Sequence, residues 1–291
     1  MSHKAGFVNI VGSPNVGKST LMNRMVGEKL SIVTPKAQTT RHRIHGIFND
    51  ENHQIVFSDT PGVVNSAYKL HDAMMSYVNE SIKDADILLF ITDIYESEMN
   101  HKETLARIQK LQIPVLIIIN KIDLGTQEQA SKRIDFWKNK IPTAEIFPIS
   151  ALHGFNHEMV WDRILELLPE SPPYFDKDEL SDRPMRFFVS EMVREKIFLF
   201  CDKEVPYSCQ VEVDSYLEEE TITKIRAYII VERDSQKGIL IGKGGDMLKK
   251  IGREARRDIE MFIGRKVFLE TLVKVDKDWR ASDLKLKKYG Y

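Results

Sequence analysis

One string restricts the possible folds of this chain more than any other: Gly12-Ser13-Pro14-Asn15-Val16-Gly17-Lys18-Ser19-Thr20, set between an apolar run, Phe7–Val11, and a helix-period segment, Lys18–Val26. A glycine turn between a strand and a helix aims backbone N–H groups at phosphate oxygens, and the helix N-terminus adds a dipole that favours the negative charge. The Gly-x4-Gly-Lys-Ser spacing then divides the work: Lys18 reaches the β- and γ-phosphates, and Ser19 offers its hydroxyl to Mg²⁺. A plain glycine turn needs no lysine and serine at these two positions.

The surrounding pattern supports this. Apolar runs at Phe7–Val11, Gln54–Phe57, Ile87–Ile91, Val115–Ile119 and Ile146–Ile149 alternate with helix-period stretches at Lys18–Val26, Ala73–Ile82, Thr104–Leu111, Ser131–Trp137 and Met159–Leu167. Such alternation predicts an α/β P-loop NTPase, a mostly parallel sheet with helices on both faces. At ~150 residues per domain, 291 residues leave room for a second one. Residues 168–184, LPESPPYFDKDELSDRP, carry four prolines among acidic residues and read as a linker. The division expected is a nucleotide domain over 1–168, a linker over 169–184 and a second domain over 185–291. That last part reads helix (Ser190–Phe200), strands (Gln210–Tyr216, Ile222–Val231), helix (Met247–Met261) and strand (Val267–Lys274), an α+β domain with a small, partly antiparallel sheet.

Three further strings sit at strand ends, where open α/β sheets bind ligands. Asp59-Thr60-Pro61-Gly62 places a carboxylate to reach the same Mg²⁺ through water. Asn120-Lys121-Ile122-Asp123 follows the most apolar run; a carboxylate at Asp123 accepts two hydrogen bonds from the guanine edge that adenine cannot supply, which argues for GTP over ATP. Ser150-Ala151-Leu152 offers a loop amide for the guanine carbonyl.

In order and spacing these strings resemble the Ras-like GTPases of the translation-factor class. The resemblance implies GTP and GDP with Mg²⁺ as ligands, and a switch segment at 35–43, PKAQTTRHR, in which Thr40, or alternatively Thr39, caps the metal in the triphosphate state. Lys18, Thr40 and Gly62 are then the catalytic set, and Ser19, Thr40 and Asp59 the metal set. The chain departs from the pattern after Gly62, where Val63 and Val64 replace the glutamine that usually orients water. Slow intrinsic hydrolysis is the expectation, with a nucleotide-controlled scaffold of negligible turnover as the alternative. Asn15 lies where some related GTPases coordinate K⁺.

Net charge is −1, but residues 237–291 hold 15 basic and 8 acidic side chains, a block suited to a polyanion. Within it, Ile241-Gly242-Lys243-Gly244-Gly245 is followed by Leu248, Ile251, Ala255 and Ile259 at helical core spacing and by Lys249, Lys250 and Arg253. This resembles a type II KH domain, whose Gly-x-x-Gly loop clamps single-stranded nucleic acid. Ile241, Gly242, Lys243, Gly244, Gly245, Lys249, Lys250 and Arg253 are the RNA-binding candidates. The pairing, with RFFVSEMVREKIFLF at 186–200, EVPYSC at 204–209 and the ending KKYGY, resembles the Era family of bacterial GTPases over essentially the whole chain. That resemblance implies binding to 16S ribosomal RNA near its 3′ end, a role in small-subunit assembly, and peripheral association with the inner membrane.

The remaining features point to little chemistry. Cys201 and Cys209 read as reduced apolar residues, and His153/His157 lack the company a metal site needs. The longest apolar run, Pro114–Ile119, is too short for a membrane span and the N-terminus has no signal-peptide shape, so a cytoplasmic, monomeric protein is expected. Trp137 and Trp161 are expected in the core, and Trp279 under the last helix.

Overall fold

The computed structural model describes residues 3–96 and 102–291. The described residues divide into two compact units, one of residues 3–31, 40–67, 71–96 and 102–182, the other of 32–39, 68–70 and 183–291.

The first unit runs β1 (Lys4–Gly12), α1 (Lys18–Val26), β2 (Ile44–Asn49), β3 (His53–Asp59), α2 (Lys69–Lys83) from His71 onward, β4 (Ile87–Asp93), α3 (Lys102–Ile108), β5 (Val115–Asn120), α4 (Gln127–Lys140), β6 (Glu145–Pro148) and α5 (His157–Leu167). The sheet order is β2-β3-β1-β4-β5-β6, parallel except for β2, which pairs antiparallel with β3. β1 lies between β3 and β4, so connections leave it toward opposite sides and open a crevice beyond its carboxyl end, where residues 12–19 sit. All six β5 residues are buried, as a strand covered on both faces requires, and each fully buried Ile or Leu there contributes about 1.5–3 kcal/mol. Trp137 is fully buried against Phe90, whereas Trp161 is half-buried against Phe48 and Phe57. Thr126 and Gln129 form a reciprocal capping box that starts α4.

The sequence reading has no counterpart of β2. Its six residues, IHGIFN, contain a glycine and bury Ile44, Gly46 and Ile47 on both faces, so neither alternation nor a continuous apolar run marks it. Functionally this strand matters, because Ile44 pairs with Asp59 and brings the preceding residues 40–43 alongside the Asp59-Thr60-Pro61-Gly62 corner.

Residues 169–182 lie within the first unit. The Pro169 carbonyl accepts from the Ala5 N–H and the Leu180 carbonyl from the Ile47 N–H, and buried Gln54 bonds the Phe175 carbonyl and the Tyr174 and Phe175 N–H groups. A segment poor in apolar periodicity is therefore fastened largely by hydrogen bonds to its backbone, with the Tyr174 ring packed on Phe7.

The second unit contains α6 (Met185–Phe200), α7 (Val205–Ser208), β7 (Gln210–Glu218), β8 (Thr223–Val231), α8 (Asp234–Ile241), α9 (Asp246–Ile263), β9 (Val267–Val275) and α10 (Asp283–Lys288). β7 and β8 are antiparallel, β8 and β9 parallel. α6 and α9 cover one face, with Val193, Ile197, Ile251, Ala255 and Ile259 packed on Ile225, Ala227 and Ile229. Cys201 and Cys209 are buried in the same cluster. Trp279 is fully buried between Tyr289 and Tyr291, and its Nε1 donates to the Ser208 carbonyl at 3.0 Å. Among the described residues no helix is long and apolar enough to cross a membrane.

Candidate nucleotide site and RNA-binding loop

The phosphate loop closes on itself through Lys18, whose Nζ donates to the Ser13 carbonyl at 2.7 Å and the Gly12 carbonyl at 3.1 Å. Burial pulls the Lys18 pKa down to about 8, against the pull of Asp59 and Glu96. Gly17, which precedes α1, has φ +100°, and a Cβ there would lie 2.2 Å from Asn120 Nδ2. Only glycine fits both the left-handed backbone and that approach. Asn15 is exposed, with φ +62°.

Three oxygens meet beside this loop. Ser19 Oγ donates to Asp59 Oδ2 at 2.6 Å and lies 2.9 Å from Thr40 Oγ1, which itself donates to Asp59 Oδ2 at 3.3 Å. Asp59 is fully buried, its pKa raised by burial in spite of the Ser19 hydroxyl and Lys18, and its Oδ1 has no hydrogen-bond partner among the described residues. A hydroxyl pair around a buried carboxylate with a spare oxygen fits a hard cation that keeps most of its waters. The geometry also separates the two switch threonines. Thr40 joins Ser19 and Asp59, while Thr39 Oγ1 bonds Thr34 Oγ1 at 2.6 Å and the Lys36 carbonyl at 2.8 Å.

The residues after Asp59 are fixed by the sheet. Buried Thr60 directs its hydroxyl to the Ile10 carbonyl at 2.7 Å, so only its backbone remains for a phosphate. The Val63 N–H donates to the Gly12 carbonyl at 3.1 Å, bringing Pro61 and Gly62 against the phosphate loop. Val63 is 6% exposed and packs with Val11, Val78 and Ile82, so its side chain faces core where a water-orienting residue would face the crevice.

At the base end Asn120 links two loops: Nδ2 donates to the Val16 carbonyl at 2.7 Å and Oδ1 accepts from the Ala151 N–H at 2.9 Å. Ser150 is buried, and Leu152 is exposed. Asp123 lies on the short helical turn Ile122–Leu124, its Oδ2 3.7 Å from His153 Nε2. Lys121 pairs with Asp93 at 2.9 Å.

Asp93 and Glu96 are missing from the sequence-derived set. Asp93 Oδ1 also accepts from the Tyr95 and Glu96 N–H groups, each at 3.0 Å, while Glu96 takes the Ser13 hydroxyl on one oxygen and the Thr92 hydroxyl on the other. The loop after β4 thus touches both the lysine of the base motif and the phosphate loop. Asp93 carries the signal that Asp59 carries, a carboxylate at the end of a buried strand; Glu96 carries none.

In the second unit, α8 ends at Ile241 and α9 starts at Asp246, with Gly242, Gly244 and Gly245 all at positive φ between them (73°, 64° and 83°). Residues 234–241 form a helix with no counterpart among the elements expected from the sequence; Gly238 in the middle weakens the periodic signal. Ile251, Ala255 and Ile259 are buried, Leu248 packs partly against the core, and Ile241 is only half-buried. On the opposite side Lys243, Lys249 and Arg253 are exposed, and Lys250 Nζ stands 4.1 Å from the Phe200 ring centroid.

Comparison with known proteins agrees with both halves. Residues 7–121 match the family model described as 50S ribosome-binding GTPase, and residues 204–280 match the KH domain. A crystal structure of Era in complex with MgGDPNP and nucleotides 1506–1542 of 16S ribosomal RNA is 40% identical, covers 99% of each chain and superposes with a TM-score of 0.95. A variant of Era from Aquifex aeolicus bound to GDP·AlF4⁻ is also 40% identical over 99% of both chains, with a TM-score of 0.94. At that identity and coverage, this chain belongs to the Era family: it is a GTPase that uses Mg²⁺ and carries a C-terminal KH domain.

Proposed function

We propose that the protein is a GTP-hydrolysing switch that binds the 3′ region of 16S ribosomal RNA through its KH domain and acts in assembly of the small ribosomal subunit. One observation carries this reading: a relative matching 99% of the chain holds MgGDPNP and 16S nucleotides 1506–1542 together. Residues 12–20, Asp59–Gly62, Asn120, Lys121, Asp123 and Ser150–Leu152 hold the nucleotide. Ser19, Thr40 and Asp59 hold Mg²⁺, which supplies charge neutralisation between the β- and γ-phosphates. Lys18 binds the phosphates, Thr40 and the Gly62 backbone respond to the γ-phosphate, and K⁺ binds near Asn15. The Gly242–Gly245 backbone approaches RNA closely, with Ile241, Lys243, Lys249, Lys250 and Arg253 around it. The protein is a cytoplasmic monomer whose basic run Lys285–Tyr289 gives it a peripheral contact with the inner membrane.

The test is steady-state GTP hydrolysis in K⁺ buffer, with and without an oligonucleotide copying the 3′ end of 16S RNA. Stimulation by that RNA, and none by a scrambled one, is expected. Absence of both binding and stimulation overturns the RNA half of the proposal. A second reading, large-subunit binding, is favoured by the description of the family model over residues 7–121; it predicts stronger association with isolated large than small subunits.

A further inference from the structure

Helix α1 leaves the phosphate loop at Lys18 and presents Arg24 in its last turn. A basic side chain there suits the helix dipole wherever it points. Arg24, however, reaches a loop 127 residues further along the chain: Nε donates to the Ala151 carbonyl and Nη2 to the Leu152 carbonyl, each at 2.7 Å. The planar guanidinium fork meets the two successive carbonyls with two separate nitrogens held in one plane, where an ammonium group offers a single nitrogen. Gly154 closes over the same group, since a Cβ on it would lie 2.5 Å from Arg24 Nη1.

These contacts act on the part of the loop that faces the base. A trans peptide is planar, so fixing the Ala151 carbonyl also fixes the Leu152 N–H on the opposite edge of the same unit. The preceding unit is held as well, its Ser150 carbonyl accepting from the Gly154 N–H at 2.8 Å and its Ala151 N–H donating to Asn120. The cation on the Ala151 carbonyl also polarises the Leu152 N–H of the same unit, which strengthens it as a donor.

We infer that Arg24 is a positioning residue for base recognition, holding the Ser150–Leu152 backbone so that its amides meet the 6-oxo group of guanine. Arg24 itself touches no nucleotide; it couples the helix that follows the phosphate loop to the loop that reads the base. The inference rests on the proposed base site.

The experiment uses the full chain and three nucleotides, GDP, 6-thio-GDP and ADP. Sulfur is a poor acceptor, so 6-thio-GDP reports the 6-oxo contact while leaving the edge read by Asp123 intact. For Arg24→Met, GDP affinity should fall about ten-fold, close to 1.4 kcal/mol, and 6-thio-GDP affinity should fall far less, so that discrimination between the two narrows. Arg24→Lys keeps the charge and the aliphatic stem, is expected to fold if the methionine variant does not, and should narrow discrimination part of the way. Equal losses for both guanine nucleotides, or unchanged GDP affinity in both variants, would overturn the positioning role. Equal binding of GDP and ADP by the unmodified protein would instead overturn the base-site reading on which it rests.

Discussion

Asn120 Nδ2 donates to the Val16 carbonyl at 2.7 Å across 104 residues of sequence, and both residues are buried. The base motif and the phosphate loop are therefore held together before any ligand bridges them. Replacing Asn120 by Ala removes this bond and the one to Ala151, and leaves buried polar groups without that partner, at about 1–3 kcal/mol. GDP and GTP affinities should fall together by about ten-fold or more in titration calorimetry, with the KH domain still binding RNA. Unchanged affinity would mean that backbone packing alone aligns the two loops.

Gly17→Ala attacks the same link from the other side. The new Cβ would sit 2.2 Å from Asn120 Nδ2 on a backbone at φ +100°. Nucleotide affinity should fall at least as far as in Asn120→Ala. Because both changes break one contact, the double variant should lose less than the two single losses added together.

Val63→Gln tests whether a glutamine after Gly62 restores fast hydrolysis. Val63 is 6% exposed against Val11 and Val78, so a glutamine there would bury its amide, at about 1–3 kcal/mol. Turnover at saturating GTP should not rise, and the melting temperature should drop by several degrees. A ten-fold faster turnover would place the water-orienting element at this position after all.

Much of this site is legible in the sequence because its chemistry is local. Helix α1 has the bounds that the Lys18–Val26 pattern predicts, and Ser19 and Asp59 stand where a motif and a strand end put them. Thr40 and Thr39 are not separable by spacing; the antiparallel edge strand β2, invisible to periodicity, brings Thr40 to Asp59. Arg24 and Glu96 are illegible for a different reason. One reads as an exposed helix-end arginine and the other as a loop carboxylate, and their contacts lie across 127 and 83 residues.

The two cysteines should be chemically silent in the folded protein. Burial, then the neighbouring Cys209, pushes the Cys201 thiol up to about 11, so at pH 8 only about one molecule in a thousand carries the reactive thiolate. Alkylation by iodoacetamide should be negligible in native buffer and complete in denaturant, read by intact mass. Rapid native labelling would mean that the cluster around α7 opens readily.

Gly244→Asp separates the KH loop from the rest of the molecule. Gly244 has φ +64°, and a Cβ added to it would meet nothing within 4 Å, so an aspartate meets no neighbouring atom and carries only the strain of the left-handed region, which it bears better than most non-glycine residues. What it adds is bulk and negative charge where phosphates approach. RNA affinity should fall at least ten-fold while RNA-free GTP hydrolysis stays unchanged. Salt gives an independent reading: if Lys243, Lys249, Lys250 and Arg253 each meet one phosphate of a single strand, the logarithm of affinity should fall with the logarithm of salt with a slope of about −3. Lys249→Ala should flatten that slope by about 0.7. RNA binding that survives Gly244→Asp with its slope intact would move the RNA interface away from the Gly242–Gly245 loop, and leave the basic face of α9 as a solvated surface.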